Sequence, residues 1–134
     1  MARFKLTPEK ERAILASIDW SAIDAMTDEE ISRAIARDPE SQLTPLEQVR
    51  IMWAVNSPKV PVKRKLRLLR RALRMTRAQF GQSYGIPEKT LQGWEQGARE
   101  PDQAALSYLA VIAEMPDRVR KALRRGGHDQ RGHI

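Results

Sequence analysis

The segment from Met75 to Pro101, MTRAQFGQSYGIPEKTLQGWEQGAREP, constrains the fold more than any other part of the chain. Thr76 is a typical N-cap residue, and Gly85 suits the left-handed conformation that ends a helix abruptly. Pro87 suits the first turn of a second helix, and Gly97 ends that helix. The segment therefore predicts two short helices joined by a tight turn.

Apolar side chains recur at helical spacing in both helices, which favours a shared core over base-stacking groups. They are Phe80, Tyr84, Leu91 and Trp94, with Ile86 as a buried plug in the turn. A helix, a glycine turn and a second helix make up the helix-turn-helix arrangement, whose second helix enters the major groove of DNA.

The pattern T-x-x-x-F-G-x-x-Y-G-I-P-x-x-T-L-x-x-W-E-x-G-x-x-x-P resembles the lambda-repressor-like, or XRE-type, DNA-binding domain over residues 62–124. The W-E-x-G-x-x-x-P-D ending and the Leu/Ala-rich helix after it are similar to antitoxins of the HigA kind. The resemblance implies an all-α fold: a five-helix lambda-repressor-like helix-turn-helix domain at residues 61–125. A small acidic helical segment at residues 1–60 would precede it, and a flexible tail at residues 126–134 would follow.

The resemblance also implies which residues contact DNA. Lys89 could donate to guanine and Gln92 could pair with adenine, whereas Gly93 departs from the usual polar residue and shortens the reading surface. Phosphate contacts would come from the first turn of the first helix and from just past the second. The base-contact residues are Glu88, Lys89, Thr90, Gln92 and Gly93, and the phosphate-contact residues are Arg77, Gln79 and Arg99.

Three signals that start a helix divide the first half of the chain. Residues 1–6, which precede the first signal, are expected to be mobile. Each signal places a threonine before a proline or an acidic residue, as in N-caps and capping boxes. Three helices are predicted, and residues 59–61 are expected to form a short extended link. The signals are Thr7-Pro8, Thr27 with Glu30, and Thr44-Pro45 with Glu47.

The stretch DWSAIDAMTDEEISRAIARDPESQLTP resembles the N-terminal region of BrnA-type antitoxins. BrnA-type proteins normally continue into a ribbon-helix-helix, whereas this chain continues into the predicted helix-turn-helix, so the identity of any toxin stays open. The matching residues are Trp20, Ile23, Asp24, Thr27, Asp28, Glu29, Glu30, Ile31 and the Asp38-Pro39-Glu40 ending.

Charge is divided unevenly along the chain. Residues 1–57 contain 7 Lys/Arg and 10 Asp/Glu, whereas residues 58–134 contain 17 and 7. The basic half suits a polyanion, and the acidic half suggests a partner of different character. Two acidic residues, Asp28 and Glu29, could contact a basic toxin surface or could only cap a helix. Two tryptophans, Trp20 and Trp53, could be hot spots for a partner or could fill a small core.

A strongly basic helix is predicted from Val62 to Met75. Leu66, Leu69 and Leu73 should pack on the core of the helix-turn-helix. Arginines repeat at the same spacing on another face, namely Arg64, Arg67, Arg71 and Arg74. Few acidic residues lie nearby in sequence, which favours nucleic acid or an acidic partner for this face over a merely solvated one.

Enzymatic chemistry finds little support in the sequence. The chain has no cysteine, and its histidines, His128 and His133, lie in the glycine-rich tail. Neither a phosphate-binding glycine loop nor a metal-ligand spacing is present, so no catalysis, cofactor or metal is expected. The absence of cysteines, of an apolar run of about 18 residues and of a signal peptide predicts a cytoplasmic protein with no membrane partner.

The two resemblances imply an antitoxin of a type II toxin–antitoxin system that neutralises a small RNase-like toxin and represses its own operon. It would bind double-stranded operator DNA as a homodimer, because two recognition helices read more base pairs than one. The expected dimer surface lies near Leu106, Leu109, Val119 and Leu123. The alternatives are a stand-alone XRE-family transcriptional regulator and an interaction protein with no DNA role.

Overall fold

The computed structural model describes the backbone of residues 7–133 and the side chains of residues 7–125. This part of the chain is all-helical, as predicted, and it contains no strand. The helices are α1 Pro8–Ala16, α2 Trp20–Ala25, α3 Asp28–Arg37, α4 Pro45–Asn56, α5 Val62–Leu73, α6 Arg77–Tyr84, α7 Glu88–Gln96, α8 Gln103–Glu114 and α9 Pro116–His133. The expected mobility of residues 1–6 concerns residues outside the described range.

Helix starts lie where the threonine signals predicted them. Thr7, Thr27, Thr44 and Thr76 are the N-caps of α1, α3, α4 and α6. The last three form complete capping boxes, in which the side chain at N3 accepts a hydrogen bond from the N-cap N–H. Hydrogen bonds between residues close in sequence therefore account for these boundaries.

The larger core is built around the α6–α7 pair, with α5 and α8 packed against it. The predicted inward residues of α5 are confirmed, since Leu66 and Leu69 are buried in this core and Leu73 packs against it. α4 also contributes, through Val55. The buried members are Val55, Leu66, Leu69, Met75, Phe80, Tyr84, Ile86, Leu91, Trp94, Leu109 and Ile112.

A smaller core holds the N-terminal helices against the rest. Ile23 of α2, Ala54 of α4 and Leu68 of α5 are its buried members, and Leu15, Ile18, Trp20 and Ile51 pack around them. α2 is not among the three helices that the sequence predicted in this half of the chain. Asp19 is in fact an N-cap, and its carboxylate accepts a hydrogen bond from Ala22 N–H at 3.1 Å.

Other expectations need correction. Residues 58–60 form a turn rather than an extended link, closed by Val60 N–H donating to Ser57 O at 3.3 Å. The apolar residues of α4 predict a buried stripe that includes Leu46, whereas this side chain is 64% exposed. The expectation that residues 126–134 are a flexible tail stays a prediction; the described backbone of α9 runs from Pro116 to His133.

Candidate nucleic-acid interface

The α6–α7 pair is tightly joined. Gly85 ends α6 with a φ of 71°, and Gly97 ends α7 with a φ of 75°, both in the left-handed region that favours glycine. A β-carbon on Gly81 would lie 2.6 Å from Ile86 O, so this position accepts no side chain without movement of the backbone. The close approach fixes α7 relative to α6.

α7 turns its apolar face inward and its polar face outward. Leu91 is fully buried and Trp94 is 9% exposed, as expected for core residues. On the opposite side Glu88, Lys89 and Gln92 are exposed. Lys89 and Gln92 form no side-chain hydrogen bond or ion pair with another described residue, so their polar groups face solvent.

The other two predicted base-contact residues, Thr90 and Gly93, are half-buried. Thr90 therefore presents only part of its side chain, and Gly93 has none to present. The outward surface of α7 thus consists mainly of its first turn and Gln92.

The predicted phosphate-contact residues have different surroundings. Gln79 is exposed but acts as the N3 residue of the α6 capping box, where its side-chain oxygen accepts from Thr76 N–H at 2.9 Å. Arg77 is half-buried, and its guanidinium lies 3.4 Å from Glu95 Oε1. Arg99 is exposed beyond the end of α7.

A buried ion pair joins α5 to α7. Arg70 Nε and Nη2 donate to the two carboxylate oxygens of Glu95 at 2.8 and 2.9 Å. The side chains are 2% and 0% exposed, respectively. Burial opposes the charge on Arg70, but the hydrogen bonds to Glu95 and the nearby Asp28 carboxylate outweigh it, so the pKa of Arg70 is raised above its ordinary value.

The sequence prediction treated Glu95 only as part of the W-E-x-G ending. A signal was present, because Glu95 follows Trp94 and lies four residues after Leu91, which places it near the inward face of α7. A buried carboxylate needs a cationic partner. The basic helix offered several candidates, and the spacing alone did not identify Arg70.

Three of the four arginines expected to face an external partner instead contact the chain's own N-terminal residues, and the fourth, Arg71, is exposed. Arg64 binds the carboxylate of Asp24 through Nε at 3.0 Å and Nη2 at 2.6 Å, and this contact lowers the pKa of Asp24. Arg67 donates to Asp24 O at 2.5 Å. Arg74, the C-cap residue of α5, donates to Ala34 O and Ser41 O. The acidic front and basic helix therefore partly neutralise each other within one chain.

The predicted partner-contact residues are partly engaged inside the molecule. Trp20 Nε1 donates to Leu15 O at 2.9 Å, and the Arg64 guanidinium carbon lies 5.3 Å from the centroid of its ring. Asp28 accepts from Arg70 Nη1 at 2.7 Å and from Arg77 N–H at 3.3 Å. Glu29 is exposed, and Trp53 is half-buried. Packing therefore accounts for Trp20, and an internal contact accounts for Asp28.

The expected dimer surface needs one correction. Leu109 is 2% exposed and belongs to the larger core, so it is not part of a surface. Leu106 and Val119 are half-buried, whereas Leu123 is 36% exposed. Val111 of α8, which was not among the residues expected in the dimer surface, is 42% exposed.

Among the described residues, no group of three or more His, Cys, Asp or Glu side chains could hold a metal ion. Within the same residues, no helix combines the length and apolarity required to cross a bilayer. Comparisons of the chain with protein-family models, curated proteins and solved structures find no match.

Proposed function

We propose that this protein binds operator DNA as a homodimer, with the outer face of α7 in the major groove, and acts as the antitoxin of a type II toxin–antitoxin system. The α5–α9 region would be an XRE-type helix-turn-helix domain. The N-terminal helices would bind and mask a small RNase-like toxin.

The outward polar face of α7 is the observation that carries the DNA-binding part. Lys89 and Gln92 are exposed and have no described partner, and side chains of these types pair with guanine and adenine in the major groove. The buried Arg70–Glu95 pair braces the same helix from behind. The net charge of +7 provides attraction to phosphate.

A second candidate is a stand-alone XRE-family transcriptional regulator. It is favoured by the internal use of Asp28 and Trp20, because a side chain already bound within the chain is less suited to a toxin surface. Glu29 and the other exposed residues of α3 remain accessible to a toxin, so the antitoxin role is tested as well.

DNA binding is tested by fluorescence anisotropy with a duplex from the promoter of the protein's own gene. We expect Lys89→Ala to weaken binding by about 1–3 kcal/mol and to relax specificity. Lys10→Ala is the matched control, because Lys10 is exposed on α1 and loses the same charge. Equal losses for the two variants would contradict the placement of α7 in the groove.

The antitoxin role is tested by pull-down and growth assays with the product of the adjacent gene. Capture of that product and suppression of its toxicity are the expected results. A harmless neighbour that does not bind would leave the stand-alone regulator as the better description.

A further inference from the structure

The outer stripe of α7 contains a gap at Gly93. Gly93 lies one helical turn after Lys89, so the two residues share a face of the helix. A side chain at this position would point alongside Lys89, and glycine supplies none. The gap lies in the middle of the surface that the proposed function places against DNA.

The side chain of Arg99 covers this gap. A β-carbon built on Gly93 would lie 3.2 Å from both Cγ and Cδ of Arg99 and 3.5 Å from its Cβ. These distances are at or below ordinary van der Waals contact, so the aliphatic stem of Arg99 occupies the space next to Gly93. The absence of a side chain at Gly93 is what permits this contact.

Backbone hydrogen bonds hold Arg99 in this place. After Gly97 turns the chain, the N–H groups of Ala98 and Arg99 both donate to Gly93 O, at 2.9 and 3.2 Å. The Arg99 backbone is thereby tied directly to the residue that its side chain covers. Its guanidinium forms no hydrogen bond or ion pair with any described residue, and the residue is exposed.

We infer that Arg99 reads a base edge in the major groove, in place of the side chain that Gly93 lacks, rather than contacting phosphate. This inference rests on the proposed function. An arginine fork donates two parallel hydrogen bonds to O6 and N7 of guanine, a geometry that lysine lacks. The base that Arg99 recognises is therefore a guanine, next to the base pair that faces Lys89.

The test uses the full-length protein and a preferred duplex selected from a pool of random-sequence DNA. Affinities are then measured for that duplex and for its single base-pair variants, across a salt series. We expect Arg99→Ala to lose about 5- to 150-fold on the preferred duplex. The loss should shrink to a few-fold on the duplex whose guanine pair has been replaced.

Arg99→Lys separates base reading from charge. It retains the cation, so the dependence of affinity on salt should stay close to that of the wild type, while discrimination at the same base pair is lost. Arg12→Ala, which removes an exposed arginine from α1, is the matched control and should lower affinity equally on all duplexes.

Gly93→Gln is an independent variant, because it changes the other residue of the contact between Arg99 and Gly93. It restores a polar side chain and displaces the Arg99 stem, so the altered preference should appear at the base pair affected by Arg99→Ala. Circular dichroism confirms that each variant is folded.

A uniform loss across every base-pair variant for Arg99→Ala, with full recovery in Arg99→Lys, would overturn the inference and identify a phosphate contact. Failure of the wild-type protein to select or bind any duplex would overturn the proposed function and the inference together.

Discussion

Replacing Glu95 by leucine tests whether the buried ion pair between α5 and α7 stabilises the fold. The substitution removes a carboxylate that is 0% exposed and accepts from Arg70 Nε and Nη2. Arg70 keeps Asp28 and Met75 O as partners for Nη1, at 2.7 and 3.2 Å. Arg70 Nε and Nη2 therefore lose their acceptors inside the core, while Nη1 remains paired. The half-buried Arg77 also loses its contact with Glu95 Oε1 at 3.4 Å.

The expected cost follows from those two donors. An unsatisfied buried donor costs about 1–3 kcal/mol, and more when it is charged. Breaking a buried ion pair by removing one partner costs about 3–5 kcal/mol, in agreement with that sum. For a chain of this length, we expect the midpoint of thermal unfolding to fall on the order of 10 °C.

The assay is urea unfolding followed by tryptophan fluorescence, with Arg70→Met, Glu95→Leu and the double variant compared in one cycle. The double variant should be more stable than either single variant, because it removes both members of the fully buried pair together. Arg67 and Arg77, at 3.6 and 3.4 Å from Glu95 Oε1, lose that contact in Glu95→Leu and in the double variant alike. Glu11→Gln serves as the control, since its pair with Lys59 lies at the surface, with the two side chains 27% and 56% exposed, and should contribute less than about 1 kcal/mol. A loss for Glu95→Leu no larger than that of the control would refute this reasoning, as would additive losses in the cycle.

Three further predictions concern other parts of the molecule. Asp28→Asn should raise the affinity for duplex DNA more than Glu29→Gln does, because Asp28 accepts from Arg77 N–H and so occupies the positive N-terminus of α6. Equal changes in affinity in anisotropy titrations would attribute the effect to net charge alone. Burial raises the pKa of Tyr84 to about 12, so the free energy of unfolding should fall by up to about 2.7 kcal/mol as pH rises from about 10 to 12. Ultraviolet absorbance titration of a Tyr108→Phe variant isolates the Tyr84 phenol, and its ionisation near pH 10 in the folded protein would contradict the prediction. Arg74→Gly relieves a left-handed φ of 58° but removes the hydrogen bonds to Ala34 O of α3 and to Ser41 O after it. Amide hydrogen exchange should become faster in α3 and stay slow in α6. Equal protection of α3 in the variant and the wild type would show that those hydrogen bonds do not hold α3.

Local signals predicted most helix boundaries, because capping is a matter of a few neighbouring residues. Thr27, Thr44 and Thr76 each carried enough information to locate a helix start. Glycine and proline located the ends of α6 and α7 for the same reason. The prediction missed α2, whose six residues show too little periodicity to be recognised.

Contacts between residues far apart in the sequence were harder to predict. The inward and outward faces of α7 followed from spacing, so the exposure of Lys89 and Gln92 was predictable. The pairing of Arg70 with Glu95, 25 residues later, was not, because several arginines of α5 were equally suited to it. The same limit applies to Arg64, which the sequence assigned to an external partner but which binds Asp24 of the same chain.

The position of α4 has a consequence for attempts to divide the chain. Its neighbouring residues Ala54 and Val55 enter different cores, the first with α2 and the second with α6–α8. A fragment beginning at residue 61 would lack Val55 and Ile51 and would expose apolar surface that they cover in the intact protein. Proteolytic cleavage in the turn before α5 would therefore yield two pieces that aggregate or stay associated, rather than two fragments that separate and stay folded.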